Sequence, residues 1–193
     1  FFNSLQDVSS RPDDISSRSI VIENGKALAN SFNDYDMQLK SFQSTANKET
    51  ETNLLELNET LKQLAQVNKL IMSGGSKNSS PDILDARDQL LSKLSNLIDF
   101  SVDYGKSGEA KITTGNSGNG KLLLEGTNFS ILTHTIQENK IVFNVNRDAK
   151  TSVLNSFSSG ILSGIKNFYD FSSEVQSEIN DLARRVARDF NEI

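Results

Sequence analysis

Apolar residues recur at alternating steps of three and four along the first third of the chain: Leu28, Phe32, Tyr35, Leu39, Phe42 and Ala46. The row resumes one residue out of phase at Leu54, Leu57, Leu61, Leu64 and Ile71, with polar Asn68 in line. This spacing keeps one stripe of a helix facing a partner. The break in phase near Glu49–Asn53 reads as a stutter in a coiled-coil-like seam. No proline falls between Pro12 and Pro81, so one helix is predicted from Pro12 to about Met72. At 1.5 Å per residue it would be about 90 Å long. A helix of that length suits a rod, a spine or an assembly better than a pocket.

Residues 1–8 read as the tail of a preceding helix. Ser9-Ser10-Arg11-Pro12-Asp13-Asp14 is a helix-start signal, with proline suited to the first helical position and acids at the positive end of the dipole. Ser73–Ser80 is a polar, glycine-containing loop. Ser80-Pro81-Asp82 restarts a helix whose apolar face is Leu84, Leu91, Leu94 and Ile98, flanked by Ile83, Leu90 and Leu97.

From Asp99 to about Ser156 the period drops to two. Phe100, Val102 and Tyr104 alternate, as do Phe129, Ile131 and Thr133, and then Ile141, Phe143 and Val145. Breaks at Gly105–Gly108, Gly115–Gly120 and Glu138-Asn139 predict five or six short antiparallel strands joined by hairpins. The last segment returns to helix, with a seam through Ile165, Phe168, Ser172, Val175, Ile179, Leu182, Val186, Phe190 and Ile193. Asp181 and Arg185 are spaced to pair on it. The fold class is α+β, a long-helix bundle with an inserted antiparallel β domain. Residues 1–98 form the first helical part, 99–157 the β-rich domain and 158–193 the returning helix. The two helical parts can pack together because the β region leaves and returns at one end.

Composition narrows the function. An apolar share of 36% over 193 residues is low for a globular domain and fits a thin bundle with much wet surface. A net charge of −5 argues against a nucleic-acid binder, which needs a basic face. With no cysteine and one histidine, disulfide frameworks and thiolate or multi-histidine metal sites are excluded. No run of eighteen apolar residues predicts a membrane span. The chain opens on Phe1-Phe2-Asn3 without an initiator methionine, which suggests a fragment or a processed product.

Candidate chemistry is sparse. Asp82, Asp85 and Asp88 could face one cation, but a straight helix spreads such ligands, and a solvated helix start is the plainer reading. His134, on a strand, has no partner named by the sequence. Gly115-Asn116-Ser117-Gly118-Asn119-Gly120 lacks the lysine ending of a phosphate loop and reads as a mobile hairpin tip. Arg184, Arg185 and Arg188 are interleaved with Asp181, Asp189 and Glu192, as on a solvated face. Asn68 either fixes register within the seam or marks where the helix turns its edge to solvent. No catalytic, cofactor-binding or metal-binding residue is assigned, and no enzymatic activity is expected.

Three blocks together resemble the flagellar hook-associated protein 1 (FlgK) family. The first is FFNSLQDVSSRPDD at residues 1–14, followed by Gly25–Asn33 with its Leu28-Ala29-Asn30-Ser31-Phe32-Asn33 run. The second is Asp82–Leu91 (DILDARDQLL) followed by Leu94-Ser95, the most specific of the three. The third is Ser159–Ile165, with Leu182-Ala183 and Phe190-Asn191 downstream. Serines replace two glycines in the third block, and Phe168-Tyr169-Asp170 stands where an FRD-like triplet is usual. The resemblance implies a structural subunit at the hook–filament junction of a bacterial flagellum. It implies export by the flagellar secretion apparatus without a cleaved signal peptide, and an extracellular location. The implied partners are the hook protein, other hook-associated proteins and copies of itself; the implied role involves no nucleic acid and no membrane insertion. The segment would be the central part of the subunit, without the terminal axial segments, and monomeric alone. The alternatives are another axial protein, of the flagellin or hook-associated protein 3 type, or a secreted hydrolase. The hydrolase would need Asp99, Asp103 and Glu109 to converge where β domain meets bundle. A generic coiled-coil binding module, such as an adhesin stalk, lacks the DILDARDQLL block.

Overall fold

The computed structural model describes residues 1–74 and 80–191. Most of the predicted Ser73–Ser80 loop, and Ile193 of the last seam, lie outside the described residues. In chain order the elements are α1 (Phe2–Ser10), α2 (Ile15–Gly74), α3 (Pro81–Leu97), β1 (Phe100–Tyr104), β2 (Ala110–Thr114), β3 (Leu122–Glu125), β4 (Asn128–Phe129), β5 (Ile131–Gln137), β6 (Lys140–Arg147), β7 (Lys150–Leu154) and α4 (Ile161–Asn191).

Helix α2 begins three residues later than the proline signal predicts. Pro12 and Asp13 form a turn, and Asp14 is the residue that starts the helix. Its carboxylate accepts from the Ser16 N–H at 3.1 Å and from the Ser17 hydroxyl at 2.6 Å. A side-chain acceptor for an otherwise orphaned amide outweighs the preset φ of proline. Helix α3 starts at Pro81 as expected, with Ser80 before it.

Helix α2 is unbroken for 60 residues, including Glu49–Asn53. The stutter is real: Ala46, Thr50 and Leu54 are all buried, two four-residue steps in succession. The seam shifts around an intact helix. Thr50 fits this crowded position because its hydroxyl bonds back to the Ala46 carbonyl at 2.8 Å. Earlier in the helix the face differs from the predicted one. Tyr35 is 55% and Phe42 50% exposed, while their neighbours Asp36 and Gln43 are half-buried. Another pair of four-residue steps, Leu28 to Phe32 to Asp36, has already moved the face by one residue. The same correction applies to α4, where Phe168 and Leu182 face outward and Tyr169 and Ala183 lie inward.

The chain divides into two compact units. One comprises Phe1–Ser44 with Ser172–Ile193: α1, the first half of α2 and α4 from Ser172 onward. The other, Thr45–Phe171, holds the remainder, including every strand.

Among the described residues seven strands, two more than the lower prediction, form two antiparallel sheets in the second unit, ordered β1-β2-β3-β4 and β5-β6-β7. The extra strands are short or polar. β4 has two residues and β7 reads Lys-Thr-Ser-Val-Leu. The single run predicted through Phe129 and Thr133 splits at buried Ser130, whose N–H and hydroxyl bond the carbonyls of Leu123 and Leu122. Phe129 then belongs to one sheet and Ile131 to the other. Hairpins β5–β6 and β6–β7 turn through Glu138-Asn139 and Asp148-Ala149, all four at positive φ, as a two-residue I′ turn requires.

Both sheets close over α2 and α3. Leu57, Leu61, Leu64, Leu94, Ile112, Leu124, Leu132 and Phe143 lie in one buried cluster. Gly160, at φ +92°, brings the start of α4 against the end of α3: a Cβ there would sit 2.5 Å from the Leu97 carbonyl oxygen. The strands therefore leave the helices and return to them at one place.

Candidate functional site: polar anchors and an apolar groove

In the unit Thr45–Phe171, α2 presents amide side chains to backbone groups of the strands. Asn58 bonds both polar groups of Leu132: its Nδ2 donates to the carbonyl and its Oδ1 accepts from the N–H, each at 2.8 Å. Asn68 repeats the arrangement ten residues on. Its Nδ2 donates to the Ala110 carbonyl at 2.7 Å and to the Gly126 carbonyl at 2.8 Å, and its Oδ1 accepts from the Ala110 N–H at 2.8 Å. A side-chain amide carries the donor and acceptor of a peptide group. Each asparagine thus stands in for a neighbouring strand, one to each sheet. Neither reading of Asn68 from the sequence holds. It is fully buried, and its partners are the backbone of β2 and of the β3–β4 turn, not a facing helix.

Asn47, eleven residues before Asn58, meets His134 with Oδ1 2.8 Å from Nε2. The Nε2–H tautomer donates there. Burial lowers the His134 pKa, and the charge of Glu51 opposes that in part. Arg87, in the most specific sequence block, lies on α3. One guanidinium nitrogen donates to the Gly108 carbonyl at 2.9 Å, another pairs with Asp88 at 2.8 Å, and the group lies 4.5 Å from the centre of the Tyr104 ring. The arginine holds the β1–β2 hairpin, and Asp82, Asp85 and Asp88 stay exposed.

The other proposed groups are apart. Asp99 accepts from the backbone N–H groups of Ser158 and Ser159 at 2.8 and 3.3 Å, fixing the return to α4. Glu109 accepts from the Ser107 N–H at 2.9 Å within the β1–β2 turn, and Asp103 is exposed on β1. They do not form a convergent carboxylate site. Among the described residues no group of three or more histidine or acidic side chains could hold a metal. The Gly115–Gly120 loop is tied where a mobile tip is expected. Ser101 donates to the Gly115 carbonyl and accepts from the Gly118 N–H, and the Thr114 hydroxyl accepts from the Lys121 N–H.

In the unit Phe1–Ser44 with Ser172–Ile193, the inward polar residues satisfy one another. Gln176 donates to Asp36 at 2.6 Å and accepts from Gln43 at 2.9 Å. Lys40 and Gln176 hold the Asp36 carboxyl below its ordinary value. Nearby lies an apolar groove of about 490 Å³, lined by Phe1, Val21, Leu28, Phe32, Val186 and Phe190 among others. Arg184 pairs with the Asp181 carboxylate, where Arg185 was expected; Arg185 reaches the Asp181 carbonyl instead. Arg188 pairs with Asp189. Among the described residues no helix is long and apolar enough to cross a membrane.

These features describe scaffolding, with polar side chains used as internal braces. The sequence profile of the flagellar hook-associated protein FlgK helical domain matches residues 1–193. The chain belongs to the FlgK family. It is 29% identical over its whole length to flagellar hook-associated protein 1 of Bacillus subtilis, covering 43% of that protein. It is 32% identical over 66% of its length to the protein of the same name from Salmonella typhimurium, covering 23% of it. The chain therefore spans less than half the length of these relatives. The structure of the flagellar hook junction protein FlgK from Burkholderia pseudomallei superposes on 86% of the chain with a TM-score of 0.74 at 25% identity, covering 31% of that chain. Against the FlgK pattern, Tyr169 takes the place expected for an arginine. It is buried, and burial first, then Asp170, raises its pKa.

Of the three asparagines only Asn68 stands out in sequence, because it alone falls in the apolar row. Asn47, Asn58 and Asn68 recur at eleven and ten residues, close to three helical turns. That recurrence is the one trace of Asn47 and Asn58.

Proposed function

We propose that this chain is the middle segment of a structural subunit at the hook–filament junction of a bacterial flagellum. The observation that carries the reading is the continuous α2, braced by Asn58 and Asn68 to two separate sheets, in a chain of the FlgK family. The braces make the subunit stiff, and stiffness is what a junction under torque demands. The partners are the hook protein, the other hook-associated proteins and neighbouring copies, whose lateral contacts close around the axis. The subunit leaves the cell through the flagellar secretion apparatus, with no signal peptide cleaved. The segment alone is a monomer, and light scattering showing a stable high-order oligomer would contradict that. The role is not enzymatic.

The segment has no cysteine, which supplies a direct test. A Ser117→Cys substitution in the full-length protein, on the β2–β3 loop, is labelled with a maleimide dye on intact cells. A single spot where each hook meets its filament is the expected result. Label along the whole filament would assign the chain to a flagellin-like role, and label confined to permeabilised cells would overturn the extracellular placement.

A further inference from the structure

We propose that Asn119-Gly120 is a site of spontaneous backbone modification, in which the asparagine converts through a succinimide to aspartate and isoaspartate. The chain has two Asn-Gly dipeptides, Asn24-Gly25 and Asn119-Gly120, and the fold treats them oppositely.

Glycine after asparagine leaves the following amide unhindered, so its nitrogen can reach the side-chain carbonyl carbon. The Gly120 nitrogen attacks Asn119 Cγ and loses its proton. The carboxamide nitrogen leaves as ammonia, and a five-membered imide closes. Water then opens the imide at either carbonyl. Opening at one returns the normal backbone with a carboxylate side chain. Opening at the other routes the backbone through the β-carbon. No oxidant, metal or enzyme is needed.

The reaction requires an accessible amide that lies outside helix and strand. The braces of the β2–β3 loop end at Gly118, whose N–H bonds Ser101, and resume at Lys121, whose N–H bonds Thr114. Between them, Asn119 and Gly120 are both exposed. Asn24-Gly25 lies inside α2, where the Gly25 N–H belongs to the helical ladder and the backbone is held away from attack geometry. The Asn24 amide is further engaged, donating to the Ser4 hydroxyl at 3.1 Å. Helix and loop therefore form an internal control.

The test is peptide mapping of the intact chain aged in mildly alkaline buffer made with heavy-oxygen water. We expect a gain of solvent oxygen at position 119, with isoaspartate exceeding aspartate, while Asn24 stays unconverted. In concentrated urea both sites convert at similar rates, and Asn119→Gln abolishes conversion at position 119 in both conditions. Equal conversion of Asn24 and Asn119 in the folded chain would overturn the proposal. So would an Asn119 that converts in urea but not when folded. Gly120→Ala is unsuited as a variant, since a Cβ there would lie 1.7 Å from the Thr114 carbonyl oxygen.

Discussion

One helix, α2, has two different lives. From Thr45 onward its inward side chains, Leu57, Leu61, Leu64 and Ile71, are completely buried, and Asn68 with them. Before Ser44 the inward side chains Leu28, Phe32 and Leu39 are only half covered, and Val21 is the one apolar side chain buried there among the described residues. The sequence spacing is nearly the same in both halves. What differs is the partner. The second half lies under sheets on which side chains pack from several directions. The first half meets helical segments alone, and completes its seam with polar Asp36 and Gln43. Periodicity predicts which face turns inward; the number of layers around it decides how much that face stabilises.

The largest expected contrast comes from truncating one leucine in each half. Leu61→Ala empties a fully buried position and should destabilise by about 2–5 kcal/mol. Leu28→Ala, half-buried, should cost about 1 kcal/mol. Urea denaturation of the two variants checks this, and equal losses would erase the distinction between the halves.

Removing a brace should come next. Asn68→Ala leaves the Ala110 N–H and the Ala110 and Gly126 carbonyls without their amide partner, at about 1–3 kcal/mol once water enters the space the side chain leaves. Asn68→Asp should fail too, because a carboxylate cannot donate to those carbonyls. Hydrogen exchange at the Ala110 amide should accelerate in both variants, while exchange in residues 15–44 stays unchanged.

Much of this architecture is legible from residues alone. The continuity of α2, its phase shift near Thr50, the restart at Pro81 and the order helix–strands–helix follow from spacing, because those features are local and repeated. The braces are not legible. An asparagine that pairs with a strand backbone looks, in sequence, like any polar residue beside a seam, and its partner is named only by the fold. The split at Ser130 is hidden for a similar reason: alternation continues across it, since both neighbours remain in extended strands. Tyr35 and Phe42 mislead because aromatic residues at nearly inward positions outrank Asp36 and Gln43 on hydrophobicity, and a polar pair in a seam makes sense only once Gln176 faces it.

A smaller effect sharpens the picture of the β hairpins. Ala149 holds φ at +61°, a region that costs an L-residue about 1 kcal/mol or more. Ala149→Gly should therefore stabilise the second unit by about 1 kcal/mol, read as a raised denaturation midpoint with an unchanged slope.

The smallest effects are in pH, and the step set by His134 belongs to the second unit alone. His134 has its pKa lowered below 6.5 by burial, so the unfolded chain binds the proton more readily. Stability of the Thr45–Phe171 unit should fall as pH drops below that value, and the fall should stop below the folded pKa. His134→Gln should remove this step. In the other unit Asp14 and Asp36 have pKa values lowered below 3.8, Asp14 by its bonds to Ser17 and Ser16 and Asp36 by Lys40 and Gln176. Their contribution is fully present above 3.8 and is lost only as pH falls through the folded values. Thermal melts from neutral to acid pH, with and without the His134 substitution, separate the two.

The central claim is that sheets and asparagine braces turn the second half of α2 into a rigid spine while the first half stays lightly held. Native-state hydrogen exchange along α2 tests it most directly. The account predicts that amides from Thr45 to Ile71, together with Ala110 and Leu132, exchange only through global unfolding. Those between Arg18 and Ser44 should exchange through smaller openings of much lower free energy. Uniform protection from one end of α2 to the other would contradict it.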